Sequence, residues 1–493
     1  MSLGRIGGWV GAGLAEAAGR LVILSGTTAY LAHALTPGDF GASALCLSVV
    51  TIFAMFVGTP YEEALTQARV VRRADLAAVL ALALVAALAL ALACVPVGAL
   101  MDWWYGRFDL VLMLPATGLL LFAQGPLSVA TAVARRRKAF YAINVSNLVG
   151  HGAGAAAAIA LGHAGGGVWA LIALRVVLVL MTTVSLFVQL RLAVAPRWSW
   201  RRLAALNRFA GVILATRLVE NATYLVYNLL VGGLFGLTVL GYLNVAMRLV
   251  EPVRGAIVAI THNICFPHFL KASGLRTDLG GTAARISAET TALIAPTFMG
   301  LAAVGPILVP LMAGTGWEDA VPIAAALAAG GMLALPSQVV QTALSAGGRP
   351  QHVLLSNVIG LAALILVLLA AAGTDHVAVG LARLAGDGAQ TLVTLVVGGR
   401  LIGLRPGPLL RGLVRIWLAA GVMAAAVVVL GAQLLADQPR ALALVTAISA
   451  GIVLYGPLLF LCARPSASAL LRLAGPLLGA RIGARLAAAG AVR

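Results

Sequence analysis

The four letters Arg-Leu-Val-Glu occur twice, as Arg217-Leu218-Val219-Glu220 and as Arg248-Leu249-Val250-Glu251, and each copy lies inside a long hydrophobic run. A guanidinium is a planar fork of donors that grips phosphate and carboxylate oxygens in pairs. An arginine in a bilayer-spanning segment costs at least ~2.5–3.5 kcal/mol on insertion scales, so it normally faces a protein interior or a wet cavity. Residues three apart share a helix face. Arg217 can therefore meet Glu220, with Asn221 beside them, and Arg248 can meet Glu251. Pro252 follows the second acid, removes a backbone donor and invites a kink. Arg254 is left without an acid. The two helices are expected to present a polar, net cationic wall to a central cavity. The plainer alternative is that each Arg–Glu pair neutralises itself and locks two helices together.

Other charges stand in apolar runs: Arg20, Arg175 and Arg383, with Glu16, Glu62, Glu63, Glu289 and Asp387. Glu16–Arg20 and Arg383–Asp387 are four apart, so self-pairing is the default for both. Arg175 has no local acid; it is either a lone cavity cation or a partner for Glu289. Glu62-Glu63 reads as an acidic helix end meeting Arg69 and Arg72. The four cysteines, Cys46, Cys94, Cys265 and Cys462, lie in or at apolar runs in no ligand spacing, and the seven histidines are scattered. No metal centre, cofactor, disulfide framework or catalytic residue is expected. There is no nucleophile elbow or phosphate-binding glycine loop, and the polar loops are too short for a catalytic domain.

The elements that must position these charges follow from composition. The 493 residues are 61% hydrophobic and 10% charged, with a mean hydropathy of +1.01. Helices apolar on all sides must face lipid or a deep core, so a polytopic helical membrane protein is the class that fits. About fourteen runs approach spanning length, near 12–34, 41–63, 76–100, 110–133, 140–162, 167–190, 207–231, 239–267, 287–313, 320–345, 352–372, 377–399, 412–434 and 441–462. The net charge of +18 would suggest nucleic acid in a soluble chain. Here basic loops on the cytoplasmic side account for it, and no nucleic-acid partner is expected. Those loops hold Arg69, Arg72 and Arg73, then Arg135-Arg136-Arg137-Lys138, then Arg191, Arg197, Arg201 and Arg202, then Lys271, Arg276, Arg349, Arg400 and Arg405. The alternate loops are acidic or neutral apart from Arg107 and Arg440, which places both termini inside. Trp103, Trp104 and Tyr105 read as one interfacial belt, and Trp198 with Trp200 as the other.

The chain also echoes itself. Leu35-Thr-Pro-Gly-Asp-Phe-Gly41 is matched about 200 residues on by Leu234-Phe-Gly-Leu-Thr-Val-Leu-Gly241. Ser146-Asn147-Leu-Val-Gly150 is matched about 210 residues on by Ser356-Asn357-Val-Ile-Gly360. Asn147 and Asn357 are expected to bond between helices. The layout is an N-lobe of six helices (1–200), a C-lobe of six (201–402) related by a pseudo-twofold axis along the membrane normal, two appended helices (403–463) and a basic amphipathic tail (464–493).

The Leu35–Gly41 turn, set between a first helix and a small-residue second helix that leads to a basic loop, resembles the start of Wzx-type polysaccharide-export flippases. These belong to the multidrug/oligosaccharidyl-lipid/polysaccharide (MOP) exporter superfamily, and the six-plus-six-plus-two layout is similar to that family over nearly the whole chain. The resemblance implies an inner-membrane flippase that moves an undecaprenyl-pyrophosphate-linked oligosaccharide by alternating access, for surface polysaccharide (O-antigen, capsule or exopolysaccharide) biosynthesis. It implies the lipid-linked oligosaccharide, membrane lipids and the polymerase or export machinery as partners. Arg20, Arg175, Arg217, Arg248 and Arg254 become cavity cations for a dianionic pyrophosphate, and Glu220, Glu251, Glu289 and Asp387 become sites of ion coupling or charge pairing. Two alternatives stay open: a lipid II flippase, which also needs a cationic cavity, and a drug/cation antiporter of the same superfamily, which needs an anionic pocket.

Overall fold

The computed structural model describes residues 3–68, 70–106, 109–261, 265–266, 269–270, 278–434, 438–463 and 467. Within these, the side chains at 3–15, 17–18, 59, 205–209, 212–213, 215–217, 219–220, 222, 259–260, 350 and 434 lie outside the described set. The described chain is helical throughout, with no strand among the described residues.

The helices are α1 (Leu3–Ala34), α2 (Pro37–Val57), α3 (Thr59–Gln67), α4 (Arg73–Tyr105), α5 (Leu110–Gly118), α6 (Leu120–Arg136), α7 (Phe140–His163), α8 (Trp169–Leu190), α9 (Trp200–Phe235) and α10 (Leu237–Ile260). They continue as α11 (Leu279–Ala313), α12 (Ala320–Ala346), α13 (Pro350–Ala370), α14 (Val377–Val393), α15 (Pro406–Leu434) and α16 (Arg440–Cys462). A π-helical stretch, Thr394–Gly398, prolongs α14. Among the described residues ten segments are long and apolar enough to cross a membrane: α2–α3, α4, α5–α6, α7, α8, α11, α12, α13, α15 and α16. Multi-pass membrane insertion follows. The four remaining segments of the expected fourteen are α1, α9, α10 and α14. They are the helices that carry Arg20, Arg217, Arg248 with Arg254, and Arg383 with Asp387.

The chain packs as two compact units, Met1–Gly241 with Met312–Gly314, and Tyr242–Leu311 with Thr315–Arg493. Within the first unit α9 packs against α2, α3 and α4. Asn228 of α9 donates to the Ser48 hydroxyl of α2 at 2.6 Å, and the Tyr105 hydroxyl at the end of α4 donates to the Leu229 carbonyl at 3.0 Å. The core of the first unit includes Leu65, Val79, Val129, Val133 and Leu203. That of the second includes Phe269, Val339, Leu344, Leu395 and Leu413.

The two copies of the glycine turn face one another within the first unit. At the first copy Thr36 and Asp39 form a capping box, with the Thr36 N–H 3.1 Å and its hydroxyl 2.8 Å from Asp39 Oδ2, and Pro37 opens α2. A side chain added at Gly41 would overlap the Leu237 carbonyl, and one added at Gly241 would overlap the Pro37 carbonyl. The relation is reciprocal: each glycine receives the backbone that opens the other copy's helix. Because backbone atoms cannot yield as a side chain can, Gly41→Ala and Gly241→Ala are each expected to cost about 1–3 kcal/mol of stability. Thermal melting of the detergent-solubilised chain checks this, and unchanged melting in both variants contradicts the crossing.

The second echo also has a structural meaning. In the first unit Ser146 of α7 donates to Ser185 of α8 at 3.1 Å, and Gln189 Nε2 reaches both hydroxyls at 2.8 and 3.0 Å. In the second, Gln390 Nε2 of α14 donates to Asn357 Oδ1 of α13 at 2.8 Å. Asn357 thus bonds between helices as expected. In the first copy that bond falls to Ser146, while the Asn147 carbonyl accepts from His151 Nδ1. Gly150 and Gly360 bring each helix pair close, since a methyl at either would press on Thr182 or on the Gly386 carbonyl.

The basic loops do more than set charge. Arg136 Nη1 donates to the Leu65 and Thr66 carbonyls at 3.1 and 3.2 Å, capping α3. Arg137 Nη1 donates to the Leu190 carbonyl at 2.9 Å, capping α8. Arg349 does the same for Leu401 in the second unit. Each fills carbonyls that a helix end leaves without partners. The belt tryptophans are exposed as expected, Trp103 at 76% and Trp200 at 65%. The proposed tail at 464–493 lies outside the described residues apart from Ala467.

Candidate functional site

Charged clusters and an apolar groove sit among the described helices. In the first unit, Arg20 and Glu16 of α1 pair with Arg20 Nε 3.7 Å from Glu16 Oε1; the arginine side chain is half exposed and the acid mostly covered. Arg175 of α8 and His151 of α7 lie near enough for the charges of Arg20, Arg175 and Glu16 to act on the imidazole. The Arg175 Nε is buried and has no hydrogen-bond partner among the described residues.

The second unit holds a denser cluster. Arg254 of α10 forks onto Asp387 of α14, Nη1 to Oδ1 at 3.2 Å and Nη2 to Oδ2 at 2.7 Å. Arg383 Nε lies 3.5 Å from Asp387 Oδ1, one helical turn away, and Glu251 Oε1 lies 3.7 Å from Arg254 Nε. The side chains of Arg254, Arg383 and Asp387 are only 11, 9 and 5% exposed. This corrects the expectation that Arg254 lacks an acid: its acid comes from a helix distant in sequence, which spacing along one helix does not reveal. Asp387 serves two arginines, not Arg383 alone. Arg248 Nε donates to Asn244 Oδ1 at 3.1 Å, and Glu251 pairs with Arg254. Glu62 meets Arg135 at 3.0 Å; Arg69, one of the expected partners of Glu62-Glu63, lies outside the described residues. Arg217 and Glu220 have side chains outside the described set. Glu289 is half-buried on α11, with no ion pair among the described residues.

Beside the second cluster runs a groove that residue spacing did not reveal. It has a volume of about 450 Å³ and lies between α10, α11, α15 and α16, lined by Val253, Pro296, Met423, Val427, Ile448 and Tyr455 among others. Tyr455 closes one wall through its hydroxyl, which donates to the Ala292 carbonyl at 2.7 Å. Gly300 and Gly451 hold the groove open, because neither has a close neighbour where its side chain would stand. Two of its four walls are the appended helices. Among the described residues no cluster of His, Cys, Asp and Glu can hold a metal ion.

The chemistry these parts offer is anion recognition beside apolar recognition. Guanidinium groups in and near the membrane helices suit phosphate oxygens, and a long apolar groove suits a hydrocarbon chain.

Residues 30–322 match the family model described as "Polysaccharide biosynthesis protein". The succinoglycan biosynthesis transport protein ExoT of Rhizobium meliloti (strain 1021) is 26% identical over 310 residues, which is 61% of each chain. This chain therefore spans about three-fifths of the length of that curated relative. Among solved structures, the lipid II flippase MurJ in an inward closed conformation superposes with a TM-score of 0.72 at 12% identity, over 92% of this chain and 98% of that one. An inward-facing multidrug resistance MATE family transporter of the MOP superfamily superposes with a TM-score of 0.59 at 14% identity, over 78% and 94%. Likenesses this distant in sequence establish the fold. The chain belongs to the polysaccharide biosynthesis protein family and is built on the helical fold of MOP-superfamily transporters.

Proposed function

We propose that this chain flips a polyprenyl-pyrophosphate-linked oligosaccharide across the bacterial inner membrane, by alternating access, during assembly of a surface polysaccharide. The observation that carries the reading is the match to the polysaccharide biosynthesis family over residues 30–322. The geometry supports it. Such a substrate has a dianionic pyrophosphate, a polar glycan and a long hydrocarbon tail, and the chain offers arginines for the first and an apolar groove for the last. Arg20, Arg175, Arg217 and Arg248 are the proposed head-group cations. Arg254 is reassigned: its fork is committed to Asp387, so it positions α10 against α14. Glu220, Glu251 and Glu289 remain the proposed ion-coupling acids, and the proposed orientation places both termini in the cytoplasm.

The apolar groove is the proposed seat of the polyprenyl tail. A drug/cation antiporter would instead need an acidic pocket, and the acids described in the second unit's cluster are matched by arginines. Lipid II shares the pyrophosphate and the tail, so the glycan is what separates that reading.

The test is reconstitution of the full chain in liposomes with a labelled polyprenyl-pyrophosphate oligosaccharide, reading how much becomes accessible to a membrane-impermeant glycosidase. Arg20→Ala and Arg248→Ala are each expected to slow flipping by about tenfold or more, with protein still recovered from the membrane. Wild-type rates in both variants would remove the cationic assignment. Flipping of lipid II alone, with no movement of other lipid-linked glycans, would favour the alternative.

A further inference from the structure

One spanning helix carries two cations on the face it turns away from the protein. In α15, Leu413, Ile416, Ala420 and Met423 are buried in the second unit, while Arg411, Arg415, Leu418, Val422 and Val429 are exposed. At 3.6 residues per turn the exposed set, with Ala425, falls within about 80° of arc and forms one stripe along the helix. Met423 and Val427, which line the apolar groove described above, lie on the other side of α15. The stripe is therefore a separate surface.

Arg411 and Arg415 stand at its head. They are four residues apart, so their side chains are neighbours, about 5–6 Å apart at Cβ, and like charges at that spacing repel. No acid occurs in the sequence between Asp387 and Asp437, and neither guanidinium has a hydrogen bond or ion pair among the described residues. Other arginines are matched: Arg135 by Glu62, Arg202 by Asp75, and Arg254 and Arg383 by Asp387. The pair also stands inside the helix, which begins at Pro406 and is long and apolar enough to span a membrane. An arginine that faces lipid there extends toward the headgroup layer, where the anion within reach is a lipid phosphate.

Further along the stripe the surface recedes. Val422, Ala425, Ala426, Val429, Leu430 and Gln433 line a shallow, mostly apolar trough of about 460 Å³. Half of a bilayer's hydrocarbon core is about 15 Å, or about ten residues of helix. A chain anchored at Arg415 therefore passes Leu418 and Val422 and reaches Ala425, inside the trough.

We propose that the outward face of α15 holds one anionic glycerophospholipid. The two guanidiniums grip its phosphodiester, one to each non-bridging oxygen, and one acyl chain runs down the stripe into the trough. The two cations set the preference for a net negative headgroup. A phosphatidylcholine brings its own cation beside its phosphate and leaves the pair under-compensated. The lipid comes from the leaflet at the Arg411 end, cytoplasmic in the orientation proposed above. Binding is measured without transport, so the site stands or falls apart from the flippase reading.

The experiment is native mass spectrometry of the full-length chain, released from detergent micelles after titration with phosphatidylglycerol or with phosphatidylcholine of the same acyl chains. The first phosphatidylglycerol is expected to bind about tenfold more tightly than the first phosphatidylcholine. The double variant Arg411→Gln, Arg415→Gln is expected to bind both lipids alike. The control pair Arg197→Gln, Arg201→Gln removes two exposed arginines near the start of α9 and is expected to keep the preference. Ala425→Phe fills the trough with both arginines in place, and is expected to weaken phosphatidylglycerol binding by about fourfold or more, the share of a single methylene. Glycerol phosphate, which has the anion without the chain, is expected not to displace the lipid at equal concentration. Monodisperse elution of each variant separates these effects from misfolding. Equal binding of the two lipids by the wild type, an equal loss in the control pair, or unchanged binding in Ala425→Phe overturns the proposal. A chain that elutes as a dimer and becomes a monomer in Ala425→Phe assigns the stripe to a second copy of this chain and overturns it as well.

Discussion

Asp387→Asn is expected to be the most damaging single change to the fold. It leaves two arginines, Arg254 and Arg383, buried in the second unit without the carboxylate that both contact. Breaking a buried ion pair from one side typically costs ~3–5 kcal/mol, because the partner stays desolvated and uncompensated. Here one acid serves two cations, which places the variant at the upper end of that range. Replacing the whole cluster by apolar residues is a different matter, since it removes the desolvation along with the attraction. The triple change Arg254→Met, Arg383→Met, Asp387→Leu is expected to restore most of the folded protein lost in Asp387→Asn. The measurement is the folded fraction by fluorescence-detected size exclusion, together with the melting temperature. A single variant as stable as the wild type would show that the cluster does not hold α10 to α14.

The second large effect is expected in the apolar groove, on activity and not on stability. Gly451 faces the groove between Met423 and Val427, where an added Cβ would make ordinary contact at 3.6 Å or more. Gly451→Ala is therefore expected to be nearly silent. Gly451→Leu carries its branch into the groove and competes with a hydrocarbon tail for the same volume of about 450 Å³. Burying hydrocarbon is worth about 0.8 kcal/mol per methylene, so displacing only a few methylenes slows flipping by tenfold or more. The comparison of the two variants in the liposome assay, at equal protein recovery, isolates occupancy of the groove. Equal flipping by Gly451→Leu and wild type would detach the groove from the substrate. A short-tailed substrate analogue provides a control, because it should be indifferent to the leucine.

How much of this was legible in the sequence depends on the length scale of each feature. Hydrophobic run length exposed the helices, and the polar helices α9, α10 and α14 were found where apolar runs are interrupted by Arg217, Arg248 and Arg383. The glycine echo was also readable, but its meaning was not. Nothing in Leu35–Gly41 or Leu234–Gly241 says that Gly41 and Gly241 receive each other's helix starts. Pairing along one helix can be inferred from spacing, as with Glu16 and Arg20. Pairing between helices cannot: Arg254 and Asp387 stand 133 residues apart, and Arg254 therefore read as an unmatched cation. Arg136, Arg137 and Arg349 read as loop charge because capping depends on where helix ends converge. The groove went unseen for another reason. Val427, Ile448 and Ile452 look the same in sequence whether they face lipid or line a cavity, since the bilayer is as apolar as the groove wall.

The central claim is that this chain moves a lipid-linked glycan across the membrane. The most direct measurement is to delete it from its own host, extract the polyprenyl-pyrophosphate-linked glycans, and determine which membrane face they occupy. The account predicts that one completed oligosaccharide unit accumulates on the cytoplasmic face while the surface polysaccharide is lost, and that the wild-type gene reverses both. Normal surface polysaccharide with no accumulated intermediate, and altered resistance to cationic compounds instead, would contradict it and move attention from the arginines to Glu220, Glu251 and Glu289.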